Sequence, residues 1–188
     1  MAKPSARDIR LKEIAQALSW EHLAVLWGQI KAGATPEWDQ GKALEHLVIR
    51  SFELSRLTVE YPYDVPPGGD PLEQIDGIVL FREIPFLIEC KDKERVDVEP
   101  IAKLHNQLSR RPPATMGCIF TTGNFTPAAL TIADFMVPHR ILLWPDSDIE
   151  EALHARDFRG ALRRKYRELC MYGLTDLSSS YKSLKGRP

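Results

Sequence analysis

The stretch from Gln74 to Lys93, QIDGIVLFREIPFLIECKDK, constrains this chain more than any other. Two apolar runs, residues 78–81 and 85–88, flank a polar Arg82-Glu83 pair, which is the pattern of a hairpin of two buried strands. A two-residue turn at that pair sets Phe81 opposite Ile84 and Asp76 opposite Glu89. Neither turn residue is Gly or Asn, so the turn type stays open, and a bulge would shift the pairing by one. Directly opposed side chains sit roughly 4.5–5.5 Å apart at Cβ, where like charges destabilise a sheet. Two carboxylates so placed need a cation between them, or one must hold a proton. Lys91, two residues beyond Glu89, points to the same face because strand side chains alternate.

An acid, a second acid and a lysine at one end of a hairpin have a specific chemical reading. Hard divalent cations are held by one or two carboxylates with waters and substrate phosphate oxygens, and an ion so placed activates water for attack on phosphorus. The arrangement Asp76 followed by Glu89-Cys90-Lys91 resembles the PD-(D/E)XK nuclease superfamily. Ile75-Asp76-Gly77 is similar to the family pattern I-D-G, and that resemblance favours Asp76 over the nearby acids Asp70 and Glu73. GKALEHLV from Gly41 is similar to the first core helix of the Mrr-like, type IV restriction endonuclease branch. FTTGNFTPAAL, residues 120–130, resembles the same branch: a strand, a Thr-Gly turn, then F-T-x-x-A opening a helix. The likeness covers roughly residues 41–145 in order. Glu89 stands where many Mrr-like members carry Gln.

The resemblance implies an α/β fold with a restriction-endonuclease-like core, a central mixed β-sheet flanked by helices, and N- and C-terminal helical extensions. The expected division is a helical extension over 1–36, the nuclease-like core over 37–146, and a basic helix with a loosely ordered tail over 147–188. It also implies a Mg²⁺- or Mn²⁺-dependent endonuclease acting on DNA, with a role in defence against foreign DNA. Asp76, Glu89 and the Cys90 carbonyl would bind the metal, and Glu45 would join that site or a second one. Lys91 would stabilise transition-state charge and help activate water, with Gln107 positioning it. Each assignment has a plain structural alternative: Glu45 as a rim carboxylate in water, Gln107 as a surface side chain. The functional alternative is a non-cleaving module of the same fold that binds nucleic acid or a partner protein; an RNA-directed nuclease would differ in substrate alone.

Local patterns supply the frame around this site. Residues 8–31 have helical apolar spacing, with Trp20 and Trp27 on one face, and predict a helix or a helix pair. Gly41 to Leu54 predicts a helix covered on more than one side, with Glu45 inside its apolar stretch. Leu57 to Val65 predicts the first strand, closed by the loop Pro66-Pro67-Gly68-Gly69-Asp70-Pro71. A helix carrying Ile101, Leu104, Gln107 and Leu108 begins near Pro100. Met116–Thr122 is the next strand, Thr126-Pro127 caps a helix, and Arg140–Trp144 is the last strand. One final helix, capped by Asp146 or Ser147, runs past Leu169.

Composition bounds the remaining choices. A chain of 188 residues, 44% hydrophobic, suffices for one well-cored domain with an appendage. The net charge of −1 excludes a uniformly basic coat, yet from Arg156 onward nine Lys or Arg face three acids, a local pointer to a polyanion or simply a solvated basic face. Three dispersed cysteines suggest neither a disulfide framework nor a zinc site. No apolar run approaches the ~18 residues of a membrane span, and the first residues lack a secretory core. The expectation is a cytoplasmic protein, with a homodimer or a partner protein selecting targets.

Overall fold

The structure, a computed structural model, describes residues 6–39, 41–61, 63–65, 73–136 and 140–176. The Pro-Gly loop with Asp70 and the serine-rich tail from residue 177 lie outside the described residues, and of Glu73 only the backbone is described. In order, the elements are α1 (Ala6–Gln16), α2 (Trp20–Lys31), α3 (Lys42–Leu54), β1 (Thr58–Glu60), β2 (Tyr63–Val65), β3 (Glu73–Ile75), β4 (Gly77–Phe81), β5 (Ile84–Lys91), β6 (Arg95–Val96), α4 (Val98–Leu108), β7 (Met116–Thr121), β8 (Asn124–Phe125), α5 (Pro127–Phe135), β9 (Ile141–Trp144), α6 (Asp146–Ala155) and α7 (Phe158–Tyr172).

The fold is α/β. A mixed five-stranded sheet runs in the order β1-β4-β5-β7-β9, antiparallel through the first three strands and parallel through the last three. β5 and β7 are central, so they are apolar almost throughout, as strands covered on both faces must be. One face carries a core built from α2, α3, α6 and α7, in which Phe52 meets the rings of Phe120, Trp144 and Phe158 edge-on. α1 packs on α3. The other face carries a smaller core under α4 and α5, with Leu87, Ile119, Ile141 and Leu143 pointing into it. No helix among the described residues is long and apolar enough to cross a membrane.

The hairpin has the register its sequence dictates. Phe81 pairs with Ile84 and the ladder runs unbroken to Gly77 opposite Ile88, with no bulge. Arg82 and Glu83 both take positive φ, 51° and 63°, as a type I′ turn demands, although neither is a residue that adopts it cheaply. Thr126 caps α5 by accepting the N–H of Ala129, with Pro127 in the first turn.

Four expectations are corrected. The segment Leu57–Val65 is two short strands in different sheets: β1 joins the main sheet, whereas β2 pairs with β3 alone. The single C-terminal helix is two, because the chain turns at Arg156, which has φ of 53°, and Asp157 caps α7 by accepting the N–H of Gly160. Neither Asp146 nor Ser147 caps α6; Pro145 holds that position, while Asp146 binds the Lys31 ammonium at 2.7 Å. Beyond Gly173, Thr175 and Asp176 are buried against the sheet rather than loose.

Candidate active site

Asp76 immediately precedes β4, one position beyond the last ladder pair, so it stands beside Glu89 at the open end of the hairpin. Its Oδ2 accepts the backbone N–H of Cys90 at 2.7 Å. Glu89 is 1% exposed and follows Leu87 on the α4 side of the sheet. Its Oε1 accepts from two ammonium groups, Lys91 at 2.5 Å and Lys103 of α4 at 3.1 Å. Its Oε2 is buried with no hydrogen-bond partner among the described residues. An ionised oxygen in that state costs free energy that a ligand would recover.

Glu45 reaches the same neighbourhood from α3. Its Oε2 accepts from Lys42 at 2.6 Å and from the Tyr61 hydroxyl at 3.3 Å, and Tyr61 also meets Nε2 of His46 at 3.2 Å. The charges converge. Burial, then Glu45, then Glu89 push the Asp76 carboxyl up to about 7, against the opposing pull of the Cys90 amide and Lys91. Burial works against the Lys91 ammonium, but its hydrogen bond to Glu89 and the charges of Glu89 and Asp76 outweigh that and raise its pKa. Lys91 is therefore a persistent cation near neutral pH.

Cys90 presents only its backbone here, because its thiol lies in the core on the α3 side. Gln107 is buried on α4, one turn beyond Lys103. The α4 side chain brought onto Glu89 is Lys103, which sequence reasoning missed. The signal was the helical period: Lys103 and Gln107 are four apart and share a face. Tyr61 was also missed, since it read as an ordinary strand residue.

The exit of β5 is held by its neighbour. Thr121 donates its hydroxyl to the Lys93 carbonyl at 2.8 Å, Thr122 to Asp92 at 2.9 Å, and β6 then pairs with β8. Gly123 permits this approach, because a Cβ there would stand 2.0 Å from the Glu94 carbonyl oxygen. The basic helix is elsewhere. α7 packs on the opposite face of the sheet from Glu89, and Lys165, counted among its surface cations, is buried, with Nζ 2.6 Å from the Leu143 carbonyl and paired to Asp148.

The donor set suits a hard dication in part. Among the described residues no group of three or more His, Cys, Asp or Glu side chains is arranged to enclose a metal ion. Asp76 and Glu89 instead match the sparser demand of Mg²⁺, which keeps several waters and takes one or two carboxylates. The bare Glu89 Oε2 and the crowding that raises Asp76 would both be relieved by such an ion.

Comparison with known proteins bears on this geometry. No curated protein matches the chain. Among solved structures, the protein of unknown function AF1548 matches at 19% identity over 54% of this chain and 56% of its own, with a TM-score of 0.44. The DNA modification-dependent restriction endonuclease AspBHI matches at 18% identity over 76% of this chain and 38% of its own, also with a TM-score of 0.44. The chain thus spans less than two thirds of either neighbour. The restriction endonuclease family model Mrr_cat matches residues 39–153, more than half of the chain, and takes in α3, the hairpin and the strands that follow. By that match the chain belongs to the Mrr_cat restriction endonuclease family.

Proposed function

We propose that this chain is a Mg²⁺- or Mn²⁺-dependent endonuclease that hydrolyses phosphodiester bonds in DNA, with residues 37–146 as its catalytic core. The observation that carries the reading is the buried Asp76–Glu89 end of the hairpin, where one carboxylate oxygen is bare and a lysine stands beside it. Asp76, Glu89 and the Cys90 carbonyl would hold a divalent ion, which would supply Lewis acidity toward the phosphate and lower the pKa of water. Lys91 offers its ammonium to the charge that develops on the phosphate oxygens as water adds and a P–O bond breaks. Glu45, steadied by Lys42 and Tyr61, adds a third acid that keeps the site selective for cations over anions. Gln107, on the face of α4 that carries Lys103, is assigned to positioning Lys91 or its water. Family membership supports DNA as the substrate and defence against foreign DNA as the role.

Supercoiled plasmid incubated with the purified chain tests this. Nicking that requires Mg²⁺ or Mn²⁺, stops with EDTA and is absent in Lys91→Ala is the expected result. DNA binding without turnover under any divalent ion overturns it in favour of a non-cleaving module, and preferential loss of labelled RNA offered beside DNA overturns the substrate.

A further inference from the structure

We propose that Lys103 is a phosphate-binding residue of this site, held on Glu89 while no metal is present and turned to the DNA backbone when a divalent ion takes that carboxylate. The inference rests on the metal-dependent reading above and adds a substrate contact to it.

The unequal treatment of the two Glu89 oxygens carries the argument. Oε1 receives two ammonium groups while Oε2, equally buried, receives none. Lys91 faces Asp76 as well as Glu89, whereas Lys103 pairs with Glu89, which makes Lys103 the more replaceable of the two. A dication entering beside Oε2 repels both ammonium groups, and the one held less firmly leaves. The two lysines are not alike. Lys91 rises from the central strand, its side chain is 27% exposed, and it sits at 2.5 Å. Lys103 rises from α4, its side chain is 51% exposed, and it sits at 3.1 Å. Lys103 is therefore the group displaced, and its long flexible stem keeps the charge within reach of the solvent beside Glu89. A phosphate oxygen of a bound duplex is the acceptor there, since an ammonium binds phosphate as a point charge.

Fluorescence anisotropy of a labelled 20-base-pair duplex whose phosphorothioate linkages resist cleavage, with the full chain and Lys91 intact, tests the exchange. In EDTA, Lys103→Met changes affinity by less than about twofold, because the wild-type side chain is occupied on Glu89. In Mg²⁺ the same change weakens binding about five- to tenfold and lowers the slope of log K against log salt by about one. Lys103→Gln behaves as Lys103→Met, and Lys103→Arg retains the Mg²⁺ affinity. Equal losses in both conditions, no loss in Mg²⁺, failure of the arginine to rescue, or no DNA binding in either condition overturns the proposal. The two readings fail separately: a metal-specific Lys103 effect without wild-type cleavage removes the nuclease and leaves the contact, and cleavage without that effect does the reverse.

Discussion

The Asp76 carboxylate is fastened to the amide of Cys90 across the open end of the hairpin, at 2.7 Å. The bond ties the approach to β4 onto the strand that carries Glu89 and Lys91, so the acid cannot drift from its partner without breaking a charge-assisted hydrogen bond. It does not suffice to keep Asp76 ionised. Burial and the charges of Glu45 and Glu89 still raise its carboxyl to about 7.

That shift gives a pH dependence with a definite sign. An acid whose folded pKa lies above its unfolded value binds more protons when folded, so its contribution to stability is greatest below about pH 4, falls as pH rises toward about 7 and then levels. The metal-free protein therefore loses about 4 kcal/mol over that interval relative to Asp76→Asn. Urea midpoints of both proteins between pH 4 and 8 measure the difference. Saturating Mg²⁺ abolishes it in the wild type and does nothing for the variant; parallel curves would refute the crowding of Asp76.

Lys91→Met separates chemistry from folding. Glu89 keeps the Lys103 ammonium in this variant, so the loss of stability stays below the roughly 3–5 kcal/mol of stripping a buried carboxylate of its only partner. Turnover falls by roughly 10²–10⁴ because the positioned cation is gone. Plasmid-nicking rates set against melting temperatures check both halves, and a variant that melts early would assign Lys91 a structural task instead.

Lys165 and Asp148 form an interior pair between α7 and α6, with the ammonium 5.2 Å above the Trp144 ring. Burial pushes the Asp148 carboxyl upward and the lysine opposes it. Lys165→Met strands the acid and costs about 3–5 kcal/mol, whereas Lys165→Met with Asp148→Leu recovers most of that loss. Denaturant unfolding of the two variants distinguishes an essential pair from a bystander.

Two backbone positions respond in opposite directions. Gly123→Ala drives a methyl into the Glu94 carbonyl, loosens the strand exit that follows Lys91, and costs about 2 kcal/mol with a parallel loss of turnover. Glu83→Gly relieves a left-handed residue in the hairpin turn and stabilises the chain by about 1 kcal/mol with activity unchanged. Thermal melts and initial rates of both variants make the comparison.

Local chemistry was readable from the residues and tertiary reach was not. The hairpin register followed from two apolar runs separated by a single polar pair, and the Thr126-Pro127 cap from the bonding capacity of those side chains. The turn class was hidden because Arg82 and Glu83 do not advertise positive φ. The break between α6 and α7 was equally silent, since Arg156 interrupts the helix without a glycine or proline. Lys103 and Lys165 carry no local signal of a partner, and only the approach of another element, β5 for one and β9 for the other, supplies it.

The last strand of the main sheet would ordinarily present an open margin to any passing strand. At its middle residue, Leu143, both backbone groups are already engaged: the amide donates to the Thr175 carbonyl at 3.0 Å and the carbonyl accepts from Lys165 at 2.6 Å. The returning segment and α7 thus occupy that border at Leu143, where an added strand would otherwise bond. A second strand approaching β9 would find Leu143, among the described residues, already engaged at both its amide and its carbonyl.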